Sequence, residues 1–492
     1  MEIINESKLR KGLNYLKIDG IFSQSMGTLI SGTFIVPLLL LFGANSFHVG
    51  LLSTIAALAS ISQLLSLNIM NKVNGRKKVC VMFSLLARII LLLLSIGLIL
   101  NLVSNLAIIL LFFMVFYSLT NISNAAFNYW MLDFVPREIR GRYFASRTRI
   151  SLLIGNIIGL ITIIYIDFVA SGNRVAAYGD IILLASILGL IGVYFLANIP
   201  EPKFNGSDPL SIRTMREFLK IESLKRHFEA IFFLYLAINL STPFFVYYML
   251  TRLELGLSLI FIVTMTSQFF TILLLPKWGS LIDKYGVKPA LRFSAYITII
   301  TILLWPFTTL PERYVFSIPL VFIIYILMGA VIGGLNLSSN LIAYYLARDK
   351  KATYGISLNN ISISLGTIVG SFLGALISIP ASYMELSMTF HIFYSEKITI
   401  FIIDFKGLDF VFAASTILGM FALSLLRRYK IEAESDEDRN YVEIVIGVKR
   451  FIRSSVNHIP IIIYRKMRDL NHRNIRRCLS FRRGVQKAVV RN

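Results

Sequence analysis

The sequence predicts an all-α polytopic membrane protein with twelve transmembrane helices in two pseudo-symmetric six-helix bundles. Three observations lead to this fold class. The 492 residues are 56% hydrophobic and only 15% charged, whereas soluble proteins carry about 25% charged residues. Twelve segments are apolar over about the 20 residues that a membrane span needs. An offset of 211 residues, as from Lys72 to Asp283, relates the two halves of the chain.

The twelve predicted spans form two sets of six. We expect all of them to be helices, because a helix satisfies its own backbone hydrogen bonds in lipid and an open sheet or loop does not. The first set is 19–42, 47–70, 79–101, 106–132, 148–168 and 178–198, and the second is 227–250, 256–277, 289–309, 315–345, 354–378 and 408–426.

Basic residues concentrate in every second loop, and this asymmetry predicts the orientation. The loops at 72–78, 137–147 and 203–226 are rich in lysine and arginine, whereas the opposite loops hold only Arg174, Arg252, Arg313, Lys397 and Lys406. Lysine and arginine collect in short cytoplasmic loops. We therefore expect both termini in the cytoplasm and the chain in the plasma membrane. The same asymmetry explains much of the net charge of +22, so no nucleic-acid partner is expected.

Cysteine and histidine usage gives no sign of cofactor or metal chemistry. The two cysteines, Cys80 and Cys478, are far apart in the sequence, and the five histidines are scattered. This pattern argues against a disulfide framework, a metal cluster and the clustered site that a membrane enzyme needs. We expect no cofactor, no metal and no catalytic residue.

The predicted organisation has four parts. An N-terminal six-helix bundle at 1–198 is followed by a polar cytoplasmic linker at 199–226, a C-terminal bundle at 227–427 and a basic cytoplasmic tail at 428–492. The tail begins with an acidic cluster and then becomes basic. This pattern is typical either of an amphipathic segment on the anionic inner leaflet or of a solvated tail. The sequence predicts no role for the outer loop at 379–407.

One loop occurs twice and indicates an internal duplication. The intact copy is Gly279–Lys288, and a degraded copy lies 211 residues earlier at Asn68–Lys77. A single offset that serves separate regions indicates two halves of common architecture. The offset also relates Gly155 to Gly366 and Gly159 to Gly370, and Gly374 continues the same spacing in span eleven. This spacing favours close helix contact, which serves as a sliding surface between the halves, as static packing, or as both.

The segment Gly279–Lys288 resembles the loop signature of the major facilitator superfamily of secondary transporters, G-x-L-x-D-[RK]-x-G-x-[RK]. The segment Asp133–Tyr143 is similar to that family's loop between spans four and five. The resemblance covers about 10–427 of this chain. It implies two six-helix bundles around a central cavity that opens alternately to each side of the membrane.

The resemblance also implies a conformational latch on the cytoplasmic side. By the family's pattern, Asp283 would face Arg140, Arg142 or Arg147 of the other half. In the first copy Lys72 replaces the aspartate, which indicates either a charge-swapped pair with Asp349 or a lysine that serves only topology. The predicted latch residues are Lys72, Gly75, Arg76, Arg140, Arg142, Gly279, Asp283, Lys284, Gly286, Lys288 and Asp349.

Polar residues recur at helical spacing in spans one, four, seven and ten, so each set lies on one helix face. Polar groups inside a membrane mostly face the protein interior or a cavity, and these four spans line the cavity of the resembled family. The alternatives are hydrogen bonds to the residues' own helix and amide contacts between helices. The predicted substrate-cavity residues are Gln24, Thr28, Ser31, Asn121, Asn124, Asn128, Tyr235, Asn239, Thr242, Asn336, Asn340 and Tyr344.

The charged residues limit the mechanism. With the predicted bounds, no acidic residue lies well inside a span, and Asp19 falls at the end of span one. Without such a residue, a proton relay in the middle of the membrane is not favoured. Arg88 in span three is the deepest charge, and it either binds an anionic substrate or bonds carbonyls and amides of its own bundle. The stripes of uncharged polar groups suit a neutral, hydroxyl-rich or zwitterionic solute.

The favoured function is that of a monomeric transporter, not an enzyme, which moves a small polar solute across the cell membrane by alternating access. Its expected partners are a small-molecule substrate and the lipid bilayer. Three alternatives remain open: efflux of a drug or metabolite by the same fold, a non-transporting sensor that signals through the tail, and a polytopic membrane enzyme.

Overall fold

The structure, a computed structural model, describes residues 6–168, 173–202, 220–309, 314–346, 352–393 and 397–428. The predicted basic tail from 429 on, most of the predicted linker and Asp349 lie outside these residues. The described chain consists mainly of long helices that form twelve membrane spans. The membrane side to which the loops at 72–78, 137–147 and 284–288 belong is called the basic side below.

The first six spans follow the predicted order, and several begin earlier than hydropathy indicates. Span one comprises Glu6–Leu29 and Gly32–Leu41. Span two comprises Ser46–Ala59, a 3-10 turn at Ser60–Ser62, and Gln63–Val73. Spans three to six are Arg76–Ile99, Leu106–Phe134, Arg137–Phe168 and Arg174–Ala197.

The second six spans repeat this arrangement. Span seven comprises Glu222–Ser241, a 3-10 turn at Thr242–Phe244, and Phe245–Thr251. Spans eight to twelve are Leu257–Tyr285, Val287–Leu303, Ser317–Leu346, Ala352–Ala381 and Leu408–Arg428. Within the described residues, eleven spans are long and apolar enough to cross a membrane, and the remaining one, span nine, has 17 residues. The predicted fold class is confirmed.

Spans one and seven are interrupted at equivalent positions. Span one loses its helical structure at Ile30 and Ser31. Span seven tightens into a 3-10 turn that begins at Thr242, next to Pro243, which lacks the N–H of a regular helical bond. Ser31 and Thr242 are separated by the same 211 residues as the two loop copies. The duplication therefore extends to the local backbone.

The glycines of span eleven pack inside the second half. A Cβ added at Gly366, Gly370 or Gly374 would clash with a main-chain carbonyl of span seven. Small residues at this spacing let two helix backbones approach closely. For these three glycines the contact observed is static packing within the second half, and a sliding surface between the halves stays a prediction.

The two halves meet at the side opposite to the basic loops. Gly50 of span two lies against Ala375 of span eleven, where an added Cβ would be 2.7 Å from the Ala375 Cβ. One helical turn further, Thr54 Oγ1 donates a hydrogen bond of 3.3 Å to Ser371 Oγ. Both contacts lie in the halves of these spans that are remote from the basic side.

Spans one, five and eight extend the same contact. The Phe261 ring lies edge-on to Phe34, with the ring centroids 5.7 Å apart, and it also lies against Gly159. Ser258 at the start of span eight donates a hydrogen bond to Asp167 at the end of span five. These contacts close the side opposite to the basic loops.

The outer loop at 379–407 contains a β-hairpin, which the expectation of an all-helical chain did not include. Strand β1, Glu385–Phe393, pairs antiparallel with β2, Lys397–Lys406. Lys406 forms ion pairs with Glu385 (2.6 Å) and Asp404 (2.7 Å) at the base of the hairpin. Burial opposes ionisation of Asp404, but hydrogen bonds from Lys406 and Ser387 outweigh it and lower the pKa of this carboxyl. Outside the lipid, water satisfies the open strand edges, so the hairpin is compatible with a helical membrane domain.

Candidate functional site

A cavity of about 590 Å³ lies within the first half, lined mainly by spans one, three and four. Its lining residues lie between the middle of these spans and the basic side. Three of the predicted substrate residues, Gln24, Asn124 and Asn128, line it. The two asparagines are exposed although they lie inside a span. Because a polar side chain in lipid is costly, this exposure indicates a water-filled opening.

An ion pair between a buried carboxylate and a partly buried arginine forms one wall of the cavity. Arg147 Nη2 of span five lies 3.0 Å from Asp19 Oδ2 of span one, and the Asp19 residue is only 4% exposed. Ser23 Oγ donates a hydrogen bond of 3.1 Å to the other carboxylate oxygen. The Arg147 Nε donates to the Leu16 carbonyl at 2.9 Å. Both charges of the pair are therefore held by protein groups.

The position of Asp19 corrects the prediction that no acidic residue lies well inside a span. The helix begins at Glu6 rather than at residue 19, so Asp19 is thirteen residues along it, or about 20 Å at 1.5 Å per residue. The first turns of span one are amphipathic. Hydropathy therefore marks the residue at which this helix becomes apolar and not the residue at which it begins.

Arg88 of span three is the second cation of the cavity. It is 6% exposed, and its Nε and Nη1 atoms are buried without a hydrogen-bond partner among the described residues. The predicted alternative, in which Arg88 bonds carbonyls or amides of its own bundle, is not observed for these two nitrogens. Its side chain instead lies against Gly189 of span six and reaches the cavity.

Hydrogen bonds between spans three and four fix the cavity floor. The Ser84 and Ser123 hydroxyls are 2.6 Å apart, and Ser123 Oγ also donates to the Cys80 carbonyl at 2.9 Å. Ser84, Ser123 and Cys80 all line the cavity. Sequence patterns did not single out these residues, because small hydroxyl side chains are common in any membrane helix.

The other predicted residues of the first half are not among those that line the cavity. Thr28 Oγ1 donates to the Gln24 carbonyl at 3.0 Å and packs against span five. Asn121 Nδ2 donates to the Tyr117 carbonyl at 2.9 Å. Ser31 lies at the interruption of span one. For Thr28 and Asn121, the observed hydrogen bonds match the alternative in which a polar side chain bonds its own helix.

The predicted residues of the second half belong to an uncharged network. Tyr235 Oη donates to Asn336 Oδ1 at 2.7 Å, and Asn239 Nδ2 donates to Thr367 Oγ1 at 3.2 Å. Asn340 Oδ1 accepts a bond of 3.2 Å from Asn359. Asn336 is exposed inside span ten. Thr242 lies in the 3-10 turn of span seven, and the placement of the Tyr344 side chain lies outside what the structure describes.

Three members of this network were not predicted. His227 Nε2 lies 3.3 Å from Asn359 Oδ1, and Ser339 Oγ donates to the same oxygen at 3.1 Å. All three residues are fully buried. A single histidine and a single asparagine give no periodic signal, and only the packing of spans seven, ten and eleven brings them together.

The first-half loop of the predicted latch is held within its own half. Arg76 forms ion pairs with Asp133 and with Glu201, the latter at 3.8 Å. Glu201 Oε1 accepts hydrogen bonds from the backbone N–H groups of Arg76 (2.7 Å) and Lys77 (3.0 Å). A carboxylate at this position stabilises the start of a helix. The sequence did not predict this function of Glu201, although its place just after span six suggested a polar linker.

The remaining first-half latch residues have varied surroundings. Arg140 donates to the Leu132 and Val135 carbonyls at the end of span four. Lys72 and Arg142 are exposed, and Gly75 is the residue before span three. Because Asp349 lies outside the described residues, its pairing with Lys72 stays a prediction.

The second-half loop shows why its glycine is needed. Gly286 has φ +94°, a conformation that favours glycine, and it joins spans eight and nine. Gly279 has open space around it, Lys284 Nζ lies 4.8 Å from the Tyr285 ring centroid, and Lys288 is fully buried. Asp283 is exposed and, within the described residues, forms no ion pair with the three arginines predicted to face it. The halves meet at the opposite side here, so the latch of the basic side stays a prediction.

The family model described as Major Facilitator Superfamily matches residues 20–371 of this chain and also 228–457. The chain belongs to the major facilitator superfamily. The predicted family is thus confirmed, and the protein is a multi-pass membrane transporter of a solute. No curated protein sequence matches the chain.

Solved structures share the fold of this superfamily member at low sequence identity. The nucleoside transporter NupG superposes with a TM-score of 0.63 at 14% identity, over 85% of this chain and 100% of that one. A bacterial homologue of the iron transporter ferroportin in the inward-facing state has a TM-score of 0.61 at 12% identity, over 86% and 98%. A POT family transporter in complex with a peptide conjugate has 0.60 at 15%, over 85% and 94%.

Proposed function

We propose that this transporter moves a small polar solute by alternating access, and that the structure represents a state open towards the basic side. One observation carries this proposal: the cavity extends from the middle of spans one, three and four towards the basic side, whereas Gly50 and Ala375 are in contact at the opposite side. When the two bundles pack against each other at one end, the solute has access from the other end. Separation at the Gly50–Ala375 contact and closure of the basic side would complete the cycle.

Amide and hydroxyl groups are proposed to bind the solute. Gln24, Asn124 and Asn128 line the cavity, and Asn336 is the exposed amide of the second half. Such groups orient a ligand through directional hydrogen bonds. NupG and the POT family transporter are named for nucleosides and for a peptide conjugate. At this low identity the shared fold is compatible with the general class of a small polar solute and does not indicate one substrate.

The orientation and location are part of the proposal, and the orientation follows from charge. The basic side is cytoplasmic by the distribution of lysine and arginine in short loops. Both termini then lie in the cytoplasm. The monomeric state and the plasma membrane are proposed in addition and do not follow from the loop charges. The tail beyond residue 428 lies outside the described residues, so both its contact with anionic lipid and its solvated form stay predictions.

The contact at Gly50 provides the test of alternating access. The variant Gly50→Ala places a methyl group 2.7 Å from the Ala375 Cβ and 2.9 Å from its Cα. We expect the added methyl group to destabilise the contact between Gly50 and Ala375 and to slow solute flux in proteoliposomes. A cysteine introduced at Thr54 should become more reactive to a reagent added from the side opposite to the basic loops.

A matched substitution controls for the added methyl group. Gly32 of span one has open space around it, so Gly32→Ala should leave flux and reactivity unchanged. Unchanged flux in Gly50→Ala, together with unchanged reactivity at residue 54, would show that this contact does not open during transport and would contradict the proposed cycle.

A further inference from the structure

The cavity contains more positive than negative charge. Arg88 and Arg147 are its cations and Asp19 is its carboxylate. The remaining lining groups that can ionise, Cys80 and Tyr117, are neutral in their ordinary state near pH 7. The cavity therefore has a net charge of +1.

The excess charge resides on Arg88. Asp19 is held by Arg147 at 3.0 Å and by Ser23 at 3.1 Å, so both of its oxygens are engaged. Arg147 is further held by the Leu16 carbonyl and lies 5.4 Å from the centroid of the Phe127 ring. Arg88 Nε and Nη1, in contrast, have no hydrogen-bond partner within the described residues.

A guanidinium that is buried and incompletely hydrogen-bonded costs folding free energy, because two of its N–H donor atoms have left water without new acceptors. Charged residues of this kind inside membrane spans mark substrate or ion pathways. Arg88 is more than nine-tenths buried and reaches a cavity of about 590 Å³. That volume is within the range of small-molecule sites.

From this geometry we infer that the solute carries a carboxylate that binds Arg88. The inference rests on the proposed transport function and adds the chemical class of the substrate. A single negative charge neutralises the net charge of the cavity, and the solute's hydroxyl or amide groups then bond Gln24, Asn124 and Asn128. The solute class is a hydroxylated monocarboxylate, an anion, and it therefore differs in net charge from the neutral or zwitterionic solute expected from the polar stripes.

The first experiment measures the sign of the potential in the cavity and needs no knowledge of the solute. Asn124→Cys is introduced into the full chain with Cys80→Ser and Cys478→Ser. Its rates of modification by anionic sulfonatoethyl and cationic trimethylammonioethyl methanethiosulfonate are compared. Leu102→Cys, 72% exposed in the loop between spans three and four, corrects for the intrinsic reactivity of the two reagents.

We expect the cysteine at residue 124 to react faster with the anionic reagent than with the cationic one. Arg88→Gln should lower this ratio of rates by about tenfold, as for the removal of a unit charge from a partly buried site. Arg88→Lys keeps the charge and should keep most of the preference. It also serves as the folding control. Arg149→Gln removes an exposed arginine of span five and should have little effect. The inference is overturned if the wild-type protein shows no faster reaction with the anionic reagent, or if the ratio of the two rates is equal in Arg88→Gln and wild type.

The second experiment tests the solute class by thermal unfolding of the purified protein. The probes are gluconate, glycerate and lactate, each beside its neutral counterpart glucitol, glycerol or propane-1,2-diol. At least one carboxylate should raise the Tm where its neutral counterpart does not, and Arg88→Gln should lose this shift. Equal shifts from a neutral counterpart, a shift that survives in Arg88→Gln, or no shift from any carboxylate overturns the solute class.

Flux measurements separate this inference from the transport proposal. Flux of a neutral solute that Arg88→Gln leaves intact would overturn the carboxylate site and leave transport by this fold in place. Carboxylate binding that depends on Arg88, without flux of any probe in proteoliposomes, would support the site and count against the proposed transport cycle.

Discussion

The two halves of the molecule hold their buried polar groups in different ways, although one offset relates their helices. The first half contains the ion pair of Asp19 with Arg147 and the additional cation Arg88. The positions 211 residues after Asp19 and Arg147 are Ala230 and Leu358. The second half instead has two groups of uncharged side chains joined by hydrogen bonds, Tyr235 with Asn336, and Asn359 with Asn340, Ser339 and His227. Asn340 Nδ2 links the two groups by donating to the Asn336 carbonyl at 3.0 Å.

This difference shows what the duplication preserved and what it did not. The interruption at Ser31 and Thr242 is common to both halves, so the backbone geometry was retained. The charged and polar side chains of the cavity wall were not retained. Buried charges need full compensation, and the loss of one partner is more costly than the loss of a neutral hydrogen bond. We therefore expect substitutions in the charged half to have the larger effects.

The largest effect is expected for Asp19→Asn. The substitution leaves Arg147, whose side chain is 17% exposed, without its counter-charge. Breaking a fully buried pair costs about 3–5 kcal/mol, which is the upper bound for this partly exposed pair. We expect a marked decrease in Tm in detergent and loss of solute flux. The double variant Asp19→Leu with Arg147→Met should recover stability but not flux, since it removes both charges.

The exposed pair of Glu222 and Arg226, at 2.8 Å, offers a matched control. Surface pairs of this kind contribute about 0–1 kcal/mol, so Glu222→Gln should leave Tm nearly unchanged. If Asp19→Asn were as stable as Glu222→Gln, the first half would not depend on its buried charges, and the contrast between the halves would not hold.

The fold was predictable because its determinants are local and periodic. Apolar runs gave the spans, the offset of 211 residues gave the halves, and amide periodicity in spans one and four found Gln24, Asn124 and Asn128. Asp19 was placed at a helix end because the helix continues through a polar stretch that hydropathy does not register. The partner Arg147 lies 128 residues away in sequence, so only the packing of spans one and five joins the two.

An intermediate effect is expected for Asn359→Ala in the neutral network. The substitution removes the acceptor of the Ser339 hydroxyl and one of the hydrogen-bond partners of His227, both residues being fully buried. A buried polar group left unsatisfied costs about 1–3 kcal/mol. Tm should fall by less than in Asp19→Asn, and flux should be partly retained. Asn198→Ala provides the control, because Asn198 is exposed and bonds only its own helix. A fall in Tm as large as that of Asp19→Asn would show that neutral and charged halves contribute equally.

The smallest effect is expected for Tyr235→Phe. It removes the O–H that donates to Asn336 Oδ1 at 2.7 Å and leaves the ring in place. Because Asn336 is exposed, water can replace the lost donor, and the cost should be at the lower end of the roughly 0.5–1.5 kcal/mol of a single hydrogen bond. Tyr194→Phe, at a residue that is 67% exposed, is the control for loss of a phenol. The informative measurement is flux, where a rise in KM at constant maximal rate would place Tyr235 and Asn336 in contact with the solute. An unchanged KM would restrict solute binding to the charged half.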